Sequence, residues 1–185
     1  MDPDAQSLAD WPTEPVAVTD PRVAAVAQVI KPGYSGESYL DGLVTTWGIT
    51  LKARERIDFP GRPPVWHTSG VKEDGDTTMW IAAVWSLDGD LIKLACHVTA
   101  AAVKQADFLH DCAGLDYPGA EPAAAKSWLD AMEPRVDAVF ATDRKVAIDS
   151  PLHRSGPVAF LLRKAPDATY GGDSYELLPF GTGSS

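Results

Sequence analysis

Basic residues are scarce in this chain. There are 16 lysines and arginines against 26 aspartates and glutamates, a net charge of −10 with a pI near 4.7. This balance argues against general affinity for nucleic-acid backbone or an anionic membrane surface, so no direct nucleic-acid binding is expected. It suits simple solubility, or a basic partner. Cysteine is nearly absent: Cys96 and Cys112 form no CxxC and fall far short of a secreted disulfide scaffold. One lies on the core face of an expected strand, the other near a helix end, and both read as reduced and structural. No apolar run approaches the ~20 residues of a membrane span. The opening MDPDAQSLAD is acidic and has neither the basic nor the apolar region of a signal peptide. These absences predict a cytoplasmic protein that does not associate with membranes.

Motifs that carry chemistry are missing too. There is no GxGxxG, Walker loop, HExxH or GxSxG. His67, His97, His110 and His153 stand far apart, without metal-ligand spacing, so neither metal nor cofactor is expected. Two DGD turns resemble pieces of a calcium loop, but they lack its sixth-position glycine and twelfth-position glutamate. Internal repeats and low-complexity segments are also lacking.

What is present is a globular composition, 45% hydrophobic and 23% charged, enough for a core in a single domain. Its centre is the stretch from Val65 to Val98. Asp74-Gly75 and Asp88-Gly89 are strong hairpin signals, and they divide β-branched and aromatic runs into a three-stranded antiparallel meander. Two-residue loops there would set Glu73 opposite Asp76 and Ser69 opposite Trp80. They would also set Trp85 opposite Ile92, Ile81 opposite Cys96 and Trp80 opposite His97. One face then collects Trp66, Thr68, Met79, Ile81, Ala83, Trp85, Ile92, Leu94, Cys96 and Val98, and is the core side. The other is mixed and carries His67, Ser69, Trp80, Ala82, Val84, Lys93, Ala95 and His97.

Around this centre, residues 1–19 read as a flexible acidic lead, with Trp11 a candidate to dock on the body. Asp20-Pro21 opens a helix that Lys31-Pro32-Gly33 stops. A second helix is expected from Glu37 to Trp47. Alternation from Ile49 to Phe59 predicts a half-buried strand, placed with Phe59 opposite Trp66, Asp58 opposite His67 and Arg56 opposite Ser69. A helix capped by Thr99 and stopped by Gly114 should follow the meander. Another should start at Glu121-Pro122 and continue past Pro134 with a kink. These two form an αα-hairpin over the core face. Strands at 145–148, 158–163 and 175–180 complete a single domain of residues 20–180, and residues 181–185 read as a disordered tail. The fold class is α+β, an antiparallel meander sheet packed on one face by an αα-hairpin.

The mixed face gathers the candidate site: His67, Ser69, Trp80 and His97, with Asp58 and Arg56 from the neighbouring strand. In the expected register the two imidazoles stand ~12 Å apart across a hollow floored by Ala82 and Ala95. Asp58 would orient His67 as a carboxylate orients a general base. The leading reading is a non-enzymatic binding or accessory protein that recognises a protein partner or small ligand through this open face. The alternative is a small-molecule enzyme using His67 and His97 as acid–base groups. Charge alone suggests a third, an acidic decoy of a nucleic-acid-binding protein.

Overall fold

Turn chemistry at the two Asp-Gly pairs sets the centre of the fold. The computed structural model describes residues 8–18, 26–100 and 102–183. In chain order these form β1 (Val16–Val18), α1 (Glu37–Trp47), β2 (Glu55–Ile57), β3 (Val65–Asp74), β4 (Thr77–Ser86) and β5 (Leu91–Thr99). Then come α2 (Gln105–Ala113), α3 (Pro122–Phe140), β6 (Ala147–Asp149), β7 (His153–Ser155), β8 (Val158–Pro166) and β9 (Asp173–Gly181). All strands join one antiparallel sheet in the order β1-β6-β8-β9-β5-β4-β3-β2, with β7 also paired to β8. The fold is α+β.

The first Asp-Gly pair makes a two-residue loop of Gly75 and Asp76, one position later than the sequence suggests, so Asp74 faces Thr77 and Val71 faces Trp80. Gly75 takes the positive φ (62°) this turn demands. The shift in pairing is even, so every side chain keeps its expected face. The second pair works differently. Ser86 and Asp90 close a three-residue loop, Ser86 N–H to Asp90 O at 2.9 Å, with Gly89 at φ 88° as its left-handed residue. A bulge between Val84 and Trp85 absorbs the extra residue. Trp85 therefore faces Leu91 rather than Ile92, and Leu91 takes the core place expected for Ile92. Beyond the bulge the expected register holds: Trp80 faces His97 and Ile81 faces Cys96.

The main core lies between one face of the sheet and the three helices. Met79, Ile81, Ala83, Trp85, Leu94, Cys96 and Val98 from the meander meet Leu40 and Leu43 of α1, Phe108 and Leu109 of α2, and Leu129 and Val136 of α3. α1 has the bounds its apolar spacing predicts. α2 starts later than Thr99, because Thr99 remains strand and its Oγ1 accepts the Thr78 N–H at 3.2 Å. α3 carries Pro122 in its first turn and runs unbroken through Pro134. The helix expected after Asp20-Pro21 lies partly outside the described residues. Within them it does not run on to Lys31, because residues 27–30 are not helical and the Gln28 and Ile30 N–H groups donate to Gly181 O and Leu91 O, each at 2.9 Å, with Val26 and Ile30 buried. No helix among the described residues is long and apolar enough to cross a membrane.

The cysteines are a correction. Cys96 and Cys112 are not reduced thiols but form a disulfide, both fully buried, tying β5 to the last turn of α2. α2 crosses the core face directly over β5, so two side chains each placed inward turn out to point at one another. A second correction concerns 49–59. Only Glu55–Ile57 is strand, pairing Glu55 with His67, Arg56 with Trp66 and Ile57 with Val65. Residues 50–52 instead run irregularly along β3, where the Lys52 N–H reaches Ser69 O at 2.9 Å. They come so close that a Cβ at Gly70 would collide with the Thr50 carbonyl. Within the stretch read as a lead, Val16–Val18 forms an edge strand on β6 and Trp11 is buried, its Nε1 donating to Ser150 O at 3.3 Å. At the other end, Gly181 closes β9.

Candidate functional site

The face opposite the helices has two ends of different character. At one end Ala82, Ala95, Ala159, Leu161, Leu178 and Phe180 form a second apolar cluster, covered by Trp11 and Val26. The alanines expected to floor a hollow are thus packing contacts, 4% and 3% exposed. At the other end the face is partly exposed among the described residues. Cross-strand pairing there aligns one transverse row over six strands: Val71, Trp80, His97, Glu176, Arg163 and Asp149. From His97 onward the row alternates imidazole, carboxylate, guanidinium and carboxylate, and Arg163 makes a bidentate pair with the buried Asp149 at 2.6 and 2.9 Å.

His97 lies between two carboxylates. Its Nε2 stands 2.8 Å from Asp167 Oδ2, and its Nδ1 lies 3.8 Å from Glu176 Oε2. Asp167 belongs to the β8–β9 loop, where its Oδ1 also accepts the N–H groups of Thr169 (3.0 Å) and Tyr170 (2.9 Å). These bonds fold the loop so that the Tyr170 ring lies 6.4 Å from the imidazole, and Trp80 approaches edge-on, also at 6.4 Å. Burial alone would lower the His97 pKa, but its bonds to Glu176 and Asp167 outweigh that and hold it above its ordinary value. Burial would likewise raise Asp167, yet the Tyr170 N–H, His97 and the Thr169 N–H keep it below the usual carboxylate range. Lys93, two rows away on the same face, is pushed down by burial, with Glu176 opposing and Arg163 adding to the effect. His97 thus lies between two carboxylates that favour its protonated form, with Val71 and Tyr170 exposed on either side of the Trp80–His97 pair.

Of the residues the sequence singled out, the structure brings Trp80 and His97 together. Ser69 and His67 share their face but lie further along. His67 pairs with Val84, whose β5 partner is Lys93. That places the two imidazoles roughly 16 Å apart, two strands across and four residues along. The register of β2 differs from expectation by three residues, an odd number, and so inverts that strand. Glu55, not Asp58, stands opposite His67, with its carboxylate 3.8 Å from Nδ1. Arg56 falls on the Trp66 side and pairs with Asp58 at 3.0 Å in solvent, away from the site. The seven-residue loop between β2 and β3 leaves register to the edge contacts, which alternation alone could not supply. His110 pairs with Asp130 at 2.5 Å, and His153 stacks on Trp128 with ring centroids 5.5 Å apart, linking α3 to β7.

Sequence reasoning missed Asp167, Tyr170, Glu176 and Arg163. Asp167 sits in the Gly-rich loop A-P-D-A-T-Y-G-G-D, whose turn chemistry is plain but whose target on β5 is not. Two clefts lie off this face. One, of about 350 Å³, is bordered by Arg54, which pairs with Glu37 at 2.6 Å and stacks 3.7 Å above the Trp85 ring. The other lies beside α1. Comparison of the chain with known protein families, with curated proteins and with solved structures finds no match.

Proposed function

We propose that this is a non-enzymatic binding or accessory protein whose recognition surface is the open end of the sheet, centred on Val71, Trp80 and Tyr170. One observation carries the reading: an otherwise covered face leaves one end bare, with an exposed valine (44%) and tyrosine (39%) flanking a Trp–His pair. Exposed apolar side chains clustered beside polar ones are the usual mark of a contact surface. Glu73, on the same face two residues from Val71, is exposed, and Glu176 borders His97. The partner this suits is a protein segment with an apolar anchor and a basic side chain, in keeping with the net charge of −10.

The alternative, an acid–base enzyme on the same face, draws support from the 2.8 Å His97–Asp167 bond. It is the weaker reading because a general base needs one ring nitrogen turned to substrate, and both nitrogens of His97 face carboxylates. The cytoplasmic placement rested partly on reduced cysteines. The Cys96–Cys112 bond removes that support and favours a non-reducing compartment.

The test is affinity capture from an extract of the source cells with three baits: the native chain, a Val71→Arg/Tyr170→Ala double variant, and Phe59→Ala. Phe59 is a control, exposed at 48% in the loop after β2. The expected result is a partner held by the native chain and by Phe59→Ala but lost by the double variant. Equal retention by all three would move the interface elsewhere.

A further inference from the structure

From a separate part of the molecule, we infer that the cleft between α1 and the α2–α3 corner is a binding site for a small zwitterion of the free amino-acid class. The cleft holds about 530 Å³, within the range of small-molecule pockets. Tyr39, Gly42 and Leu43 of α1 line one side. Asp111 and Gly114 at the end of α2, with Lys126 of α3, line the other.

Three observations point to a ligand. Tyr39 Oη is buried and, among the described residues, has no hydrogen-bond partner, a costly state for a hydroxyl unless something that visits the cleft supplies the acceptor. Burial, with Asp111 and Asp116 adding to it, holds this phenol well above its usual range, so it remains an O–H donor. Next, the cleft carries both signs of charge without their cancelling. Among the described residues Lys126 makes no ion pair, and Asp111 pairs with no cation; its Oδ2 accepts the Trp47 Nε1–H at 2.9 Å. Last, glycine keeps the space clear. A Cβ at Gly42 would meet no atom within 4 Å, although glycine is a poorer helix former than alanine. A Cβ at Gly114 would stand 3.5 Å from Tyr39 Oη, close to where an acceptor would approach it.

A zwitterion answers all three. Its ammonium suits Asp111 and the carbonyl end of α2. Its carboxylate suits Lys126 and the Tyr39 hydroxyl, and an apolar side chain suits Leu43. A lone anion would meet Asp111, and a lone cation would meet Lys126.

The experiment is calorimetric titration of the full chain with free alanine, valine, leucine, methionine and phenylalanine. The N-acetyl and amide forms of any binder, and acetate alone, are titrated alongside. At least one free amino acid is expected to bind at millimolar concentration, and capping either end should weaken it about tenfold or more. Tyr39→Phe and Lys126→Met should each weaken binding by a similar factor. Gly42→Leu should abolish it by filling the cleft, with circular dichroism and Tm showing the fold intact. The Val71→Arg/Tyr170→Ala variant should bind the amino acid like the native chain, which separates this site from the sheet's open end. Absence of binding by every amino acid tested, equal binding of capped forms or of acetate, or undiminished binding by a folded Gly42→Leu would each overturn the inference.

Discussion

His97 links β5 to β9 and to the β8–β9 loop through its two ring nitrogens, so its protonation bears on how firmly that loop is held. Folded His97 binds its proton more tightly than the unfolded chain does. Its contribution is therefore complete below the ordinary imidazole value of ~6.5 and fades as pH rises through the raised folded value. Asp167 has the opposite sign. Its lowered folded pKa contributes stability above the ordinary ~3.9, lost as pH falls through the depressed value. The pair should stabilise most between about pH 4 and about pH 6.5. Chemical denaturation across pH should show stability declining on the alkaline side, less so in His97→Gln; an unchanged alkaline slope in that variant would remove His97 as its source. His97→Ala should cost about 1–3 kcal/mol near pH 6, because it strands a mostly buried carboxylate. Trp85 is the matching residue on the core face. Fully buried, with Nε1 donating to Ser35 O at 2.8 Å, it should cost about 3–5 kcal/mol when replaced by alanine. A denaturation shift below ~1 kcal/mol would mean that this face is not the core.

Among the elements, α1 and α2 invite the clearest tests. α1 lies between left-handed glycines, Gly36 and Gly48, and contains a third, Gly42, whose missing Cβ faces open space. Gly42→Ala should stabilise the protein by about 0.5–1 kcal/mol through helix propensity alone, read as a rise in denaturation midpoint. A loss would show that the position is more crowded than its surroundings indicate. α2 is tied to β5 by the disulfide across a sequence separation of 16. Replacing both cysteines with alanine should cost about 3 kcal/mol, the scale for a loop of that length, and a loss under ~1 kcal/mol would contradict a structural role. The elements also show how far the sequence could be read. The meander, α1, α3 and, away from the bulge, both faces of β4 and β5 were legible, because Asp-Gly turns and side-chain alternation are local signals. What stayed hidden was decided by distant contacts. These include the pairing of Cys96 with Cys112, the edge strand at Val16–Val18, the register of β2 and the reach of Asp167 to His97.

For the whole molecule, the central claim is that the two faces of one sheet do different work. Helices close one face, the N-terminal segment closes part of the other, and the remainder around Val71, Trp80 and Tyr170 is the surface proposed to meet a partner. Because Val71 and Tyr170 are exposed, Val71→Ala and Tyr170→Ala should each change stability by no more than ~0.5 kcal/mol while weakening that contact. The most direct measurement is photo-crosslinking in cell extract, with benzoylphenylalanine placed at position 71 and, as a control, at position 123 on the exposed side of α3. A discrete crosslinked partner at position 71, absent at position 123 and competed away by unlabelled native protein but not by the Val71→Arg/Tyr170→Ala variant, is the predicted result. No specific adduct at position 71, or the same adduct at both positions, would contradict the claim.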